Sequence, residues 1–166
     1  MLGLEGIPGI YIHSLIGTPN DLERVENTGQ NRSINRRRWD FDELAENLDS
    51  PHSHHHKVLT RLSQLIRVRK AQPAFHPNAT QFTLRLDDKL FGFWRQSIDR
   101  SQSIFCISNV TDKDYELTLS DINLIVTDDW VDLITQLPVC THTNLLKLAP
   151  YQTVWLSNKN EIADIL

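Results

Sequence analysis

Arg32, in the run RSINR, is the residue of this chain with the clearest chemical potential. Its planar guanidinium can donate paired hydrogen bonds to a carboxylate or to hydroxyl groups, although an arginine in a polar loop also serves simply to fix that loop by ion pairing. His13, Asn20 and Asp21 lie upstream, where an apolar run gives way to a polar one. Asn20 and Asp21 follow Pro19 and are equally the residues that a turn selects, and a lone histidine is more often a packing or surface residue. The histidines His52, His54, His55 and His56 suggest a metal, but on a helix only His52 and His56 share a face, and no carboxylate or cysteine completes a ligand set by spacing. The run reads as the solvated start of a helix, and neither a metal nor another cofactor is expected. Cys106 and Cys140 sit in strand-like runs without CxxC spacing and are expected to be reduced thiols. The sequons at Asn31, Asn78 and Asn109 are expected to stay unmodified for want of a secretory route.

The elements that must position these residues change character along the chain. With 166 residues, 40% hydrophobic and 23% charged, and a net charge of −4, the composition is that of one or two small domains with an ordinary core. Mild acidity argues against nucleic-acid binding, and the short basic cluster Arg36–Arg38 does not overturn that. The longest apolar stretch, residues 7–16, is broken by Pro8, His13 and Ser14 and is shorter than the roughly 20 residues of a bilayer span, so no membrane helix is expected. The N-terminus lacks a basic region and a small-residue cleavage site, which predicts a cytoplasmic protein.

Residues 7–13, IPGIYIH, read as a strand buried on both faces, which needs parallel neighbours. Residues 17–38 read as a long polar loop with one helical turn near Asn20–Val25, and a loop of that length in a compact domain is usually functional. Asp40 with Glu43 forms a capping-box signature for a helix over 41–48, stopped by Pro51. From Ser53 to Pro73, Val58, Leu59, Leu62, Leu65 and Ile66 mark one face of an amphipathic helix. Beyond Pro73 the period changes to two. Strands are expected at 81–86, 89–96, 103–110, 115–119, 130–134, 144–149 and 153–158, an antiparallel β-domain. The predicted domains are 1–76, 77–160 and a tail, 161–166. An orphan buried strand followed by a helix reads as the last βα unit of a larger α/β fold, and a (β/α)₈ barrel takes about 250 residues. The fold class expected is therefore an α+β fragment: the end of such a barrel followed by an antiparallel C-terminal β-domain.

The run GIPGIYIHSLIGTPNDLERVENTGQNRSINR, the helix DFDELAENL and the later RKAQPAFHP, FCISNVTDK and LAPYQTVWL resemble the C-terminal third of sucrose phosphorylase-like enzymes of glycoside hydrolase family 13. The IHSL and GTPND version is more similar to the branch using sucrose 6-phosphate or glucosylglycerate. The resemblance implies phosphorolysis of an α-glucoside with retention, giving α-glucose 1-phosphate through an aspartate nucleophile and a glutamate acid. It also implies that those two residues, and the third carboxylate that holds the sugar, belong to earlier barrel strands and are absent here. No catalytic residue is therefore assigned and the isolated chain is expected to be silent. By the same resemblance Arg32 reaches the sugar pocket; His13, Asn20 and Asp21 are further candidates because they follow the expected strand and open the loop, the C-terminal face where barrel active sites are assembled. The partners implied are the missing barrel portion and, in the complete enzyme, an α-glucoside and phosphate.

The aromatic residues Phe82, Phe91, Phe93, Trp94, Tyr115, Trp130 and Trp155 leave a second possibility open, a stand-alone β-module binding glycan or a protein partner. Their alternation with Leu, Ile and Val favours a sandwich core.

Overall fold

The computed structural model describes residues 1–124, 130–139 and 144–159, so Cys140 and the expected tail at 161–166 lie outside the described residues. The chain forms two compact units, Gly9–Ile66 on the one hand and Met1–Pro8 with the residues from Arg67 onward on the other.

Helices dominate the unit Gly9–Ile66. The strand expected at 7–13 is not formed. Tyr11 is extended, but Ile12–Leu15 close a single helical turn, α1, through Leu15 N–H to Tyr11 O at 3.0 Å and Ile16 N–H to Ile12 O at 3.1 Å. The reason is the absence of any partner. A strand buried on both faces needs a ladder on each edge, whereas every described strand starts at Thr80 or later and none pairs with this segment. The backbone satisfies itself locally instead, and Tyr11 and Ile12 stay exposed.

The polar segment that follows is more ordered than a loop. Helix α2, Leu22–Thr28, begins where Asp21 Oδ1 accepts from Arg24 N–H at 2.9 Å and ends at Gly29 in the left-handed conformation. A 3₁₀ turn, Asn31–Asn35, carries Arg32. Helix α3, Phe41–Asp49, is capped as its sequence predicts, with Asp40 Oδ1 accepting from Asp42 and Glu43 N–H at 3.0 and 3.2 Å. Helix α4 runs from His54 to Ala71, with Val58, Leu59, Leu62, Leu65 and Ile66 half-buried.

The other unit is built on strands β1 (Thr80–Thr83), β2 (Leu90–Gln96), β3 (Ser103–Asn109), β4 (Tyr115–Thr118), β5 (Val131–Asp132), β6 (Leu137–Pro138), β7 (Leu145–Leu148) and β8 (Thr153–Ser157). They form a six-stranded antiparallel sheet in the order β1-β2-β3-β8-β5-β6 and a two-stranded sheet, β4-β7. The register places Trp94, Phe105 and Leu156 abreast, and Phe93, Cys106 and Trp155 abreast on the neighbouring row. Period-two alternation then sends these rows to opposite faces. On one face Phe105, Ile107, Val154 and Leu156 pack with Leu117, Leu119, Ile122 and Leu148 in the main core.

Two strands are shorter than expected for identifiable reasons. β1 stops at Thr83 because Leu84 and Leu86 fold over Gly92, where a Cβ would lie 2.6 Å from Leu86 Cδ1. β5 stops at Asp132 because that carboxylate turns the chain, accepting from Trp155 N–H at 2.9 Å, Ile134 N–H at 3.2 Å and the Thr135 hydroxyl at 2.7 Å.

Against the opposite face of the sheet lies the N-terminal segment, gripped by two buried arginines. Arg95, with no exposed surface, donates to Gly3 O at 3.0 Å, His76 O at 2.9 Å and Ala79 O at 3.3 Å. Arg69 donates to Leu2 O, Leu4 O and Gly6 O. Neither forms a salt bridge with a carboxylate among the described residues, and burial lowers the pKa of both, with mutual repulsion adding to the effect at Arg95.

Candidate functional site

All four residues singled out from the sequence lie in the helical unit, but they do not converge on one point. Asn20 and Asp21 line an open depression of about 450 Å³ together with Pro19, Leu22, Glu23 and Arg37. Asp21 is occupied as the cap of α2, and its own N–H donates to Ile34 O at 2.7 Å, which ties the helix start to the 3₁₀ turn. Arg32 is exposed on that turn, and its Nε donates to Gln30 Oε1 at 3.4 Å. The depression thus offers carboxylates from Asp21 and Glu23 beside the Arg37 guanidinium, while Arg32 stands outside its lining.

His13 is the most firmly held of the four. Its Nδ1 lies 3.0 Å from Thr18 Oγ1, its carbonyl accepts from Thr18 N–H at 2.8 Å, and its ring leans on Tyr11 with centroids 5.3 Å apart. Tyr11 in turn donates its hydroxyl to Asn35 O at 3.0 Å. Thr18 Oγ1 also accepts from Trp39 Nε1–H at 3.1 Å. The Trp39 ring is held by the Arg37 guanidinium, 3.9 Å from its centroid, and by the edge of His55 at 4.9 Å. Arg37 completes the chain with an ion pair to Glu43 at 2.8 Å.

The histidine run has structural partners. His55 and His56 each donate Nδ1–H to a backbone carbonyl, Ile16 O and Leu48 O, both at 2.7 Å. In the β-rich unit the aromatic residues form a stack: Phe82 on Trp94 at 4.9 Å, Trp94 on Phe105 at 5.8 Å, and Phe105 against Trp130 at 5.7 Å. Phe105 and Trp155 are buried, Trp94 is half-buried, and Phe82 and Phe91 are exposed. Burial raises the pKa of the Cys106 thiol.

No protein-family model matches the chain. Among characterised proteins it is 40% identical over 156 residues to a glucosylglycerate phosphorylase of Allomeiothermus silvanus, a match covering 94% of this chain and 25% of that enzyme. A glucosylglycerate phosphorylase of Spirochaeta thermophila is 37% identical over 67% of this chain and 19% of its own length. A sucrose phosphorylase of Agrobacterium vitis is 34% identical over 62% of this chain and 20% of its own length. Among solved structures, a maltogenic amylase from S. marinus superposes with a TM-score of 0.63 over 95% of this chain and 18% of that one, at 17% identity. The chain corresponds to a C-terminal part of the sucrose phosphorylase-like enzymes of glycoside hydrolase family 13.

This phosphorylase-like part spans about a quarter of the length of its glucosylglycerate phosphorylase relatives. Its antiparallel β-domain has the fold found in the amylase structures. Thr18 and Trp39 carry no motif that singles them out, and Arg37 stands out in the sequence only as part of the basic cluster Arg36–Arg38. The signal for Trp39 was a lone tryptophan at the end of an arginine run, immediately before a helix cap. Among the described residues no helix is long and apolar enough to cross a membrane.

Proposed function

We propose that this chain is the end of the (β/α)₈ barrel, residues 1–76, and the C-terminal β-domain, residues 77–160, of a retaining α-glucoside phosphorylase acting on glucosylglycerate or a similar glucoside. The observation that carries the reading is the 40% identity to a glucosylglycerate phosphorylase across nearly the whole chain. In this reading the nucleophile and the acid come from the barrel portion outside this chain, which is the partner that covers Ile7, Tyr11 and Ile12. Ile7 is 84% exposed, which suits a segment made to pair with absent neighbours. Arg32, free of any carboxylate among the described residues, supplies a planar fork to the glucosyl group. In this reading His13, Asn20 and Asp21 lie beside the glucosyl pocket of the complete enzyme; within this unit, Asn20 and Asp21 alone of the four share a depression. The competing reading is a stand-alone module that binds glycan through its aromatic residues; of the seven rings that suggest it, Phe82 and Phe91 are exposed and stand on different positions of two strands.

Grafting is the direct test. This chain replaces the corresponding 156-residue stretch of the Allomeiothermus silvanus enzyme, and phosphate-dependent release of α-glucose 1-phosphate is followed. The graft is expected to be active and the 166-residue chain alone inert. Within the graft, Arg32→Ala should lower kcat/KM by about 100-fold, the scale of losing a buried charge-assisted pair. Phosphorolysis by the chain alone, or a folded but inactive graft, refutes the proposal.

A further inference from the structure

We infer that Thr18 is a positioning residue that fixes His13 in one tautomer, with a bare Nδ1 and a proton on Nε2 directed to a ligand oxygen. This rests on the reading of His13 as a pocket residue given above.

The assignment follows from counting protons. An indole N–H only donates, so at 3.1 Å the Thr18 hydroxyl oxygen is the acceptor for Trp39. A threonine hydroxyl has one proton and two acceptor sites. His13 Nδ1, at 3.0 Å, either receives the Thr18 proton or donates its own. In the second arrangement Thr18 takes two donors and its own proton has no protein acceptor, because its side chain makes no other hydrogen bond among the described residues. Thr18 is half-buried, where an unused donor is costly. In the first arrangement every group is used: Trp39 donates to Thr18, Thr18 donates to His13 Nδ1, and the His13 proton resides on Nε2.

The neighbouring histidines supply the contrast. His55 and His56 face carbonyl oxygens, which only accept, so their Nδ1 atoms carry the proton when the rings are neutral. One helical unit therefore sorts its imidazoles by partner, His13 into the Nε2–H form and the two α4 histidines into the Nδ1–H form. Both rings of the relay are also clamped, His13 by Tyr11 and Trp39 by Arg37 and His55. The proton on His13 consequently has a defined direction.

The test reads imidazole ¹⁵N resonances of the full 166-residue chain at a pH where the rings are neutral. His13 is expected to appear as Nε2–H, with His55 and His56 as Nδ1–H. Thr18→Val removes the hydroxyl that donates to Nδ1 and should let His13 populate both tautomers, while Thr18→Ser, which keeps the hydroxyl, should leave His13 as in the wild type. A wild-type His13 protonated on Nδ1 overturns the inference whether or not the variants fold, and so does a folded Thr18→Val variant with an unmixed tautomer. In the active graft, Thr18→Val should raise KM about three- to tenfold with kcat little changed, the scale of one misoriented neutral hydrogen bond. If the tautomers are as stated but His13→Ala leaves KM and kcat of the graft unchanged, the relay stands and the pocket role of His13 falls.

Discussion

Arg95→Met is the most informative perturbation of the fold. The wild-type side chain has no exposed surface and makes hydrogen bonds to Gly3 O, His76 O and Ala79 O. Each hydrogen bond from a charged donor is worth about 1.5–3 kcal/mol, so the gross loss is about 4.5–9 kcal/mol. Methionine keeps the apolar contacts but no longer requires a cation to be desolvated, a saving of several kcal/mol. It also ends the repulsion between Arg95 and Arg69. The difference leaves about 2–4 kcal/mol of destabilisation, or about 5–15 °C in Tm at the 2–4 °C per kcal/mol usual for a chain of this size. Urea unfolding with an unchanged slope gives the free energy, and amide exchange at Leu4 and Glu5 reports whether the N-terminal segment is released, since Leu4 N–H bonds Met1 O and Glu5 N–H bonds Gln81 Oε1. Arg95→Lys should be at least as damaging, because it retains the buried charge and loses the fork that spans the two groups of carbonyls. Stability of Arg95→Met within about 0.5 kcal/mol of wild type, the range of a neutral surface change, refutes this account, as does rescue by lysine.

Gly17 sits at φ +64 with the site for a Cβ 3.0 Å from both His54 Nε2 and Val58 Cγ2, so Gly17→Ala should cost about 1–3 kcal/mol in the same unfolding assay. Asp99 is held at a pKa of about 2, below its ordinary 3.8, first by the Ser97 hydroxyl and then by the Ser101 N–H and hydroxyl. A depressed carboxyl stabilises the fold fully above its unfolded pKa and loses that contribution as pH falls through the folded one, so the stability gap between wild type and Asp99→Asn should close between about pH 4 and pH 2. Cys106, buried and with its thiol pKa raised by that burial, should react with a thiol reagent only as the β-rich unit unfolds, at a rate that follows urea concentration.

Much of the β-rich unit was legible because its signals are local and mutually consistent. Alternation in 89–96, 103–110 and 153–158 marks the three central strands to within a residue, and the turn at Asp99-Arg100 separates two of them. β6 was missed because it holds only Leu137 and Pro138, too short for any period, with a proline that an edge strand tolerates. Helices α3 and α4 were legible from Asp40, Pro51 and Pro73, and α2 was read only as a turn because its seven residues carry no apolar stripe. Arg69 and Arg95 were invisible for a different reason. An arginine in a basic run on a helix, or next to glutamine in a strand, reads as solvated, and only the folded chain reveals that it bonds carbonyls far away in sequence.

The opening segment is where pattern and structure part company, and the reason bears on the function. The period of residues 7–13 specifies a strand only if neighbouring strands exist, because strand pairing is a property of at least two segments, whereas a helical turn satisfies its backbone alone. Ile12–Leu15 accordingly coil while Ile7 and Tyr11 remain exposed. The same logic explains the candidate site. His13, Asn20 and Asp21 were legible from their position after an apolar run, but Thr18, Arg37 and Trp39 come from the two ends of a polar stretch and meet only because α2 and the 3₁₀ turn fold it back, with Asp21 N–H fixed to Ile34 O. That closure is made entirely within this unit, so the contacts that hold the His13 ring, from Thr18 and Tyr11, need no element outside it.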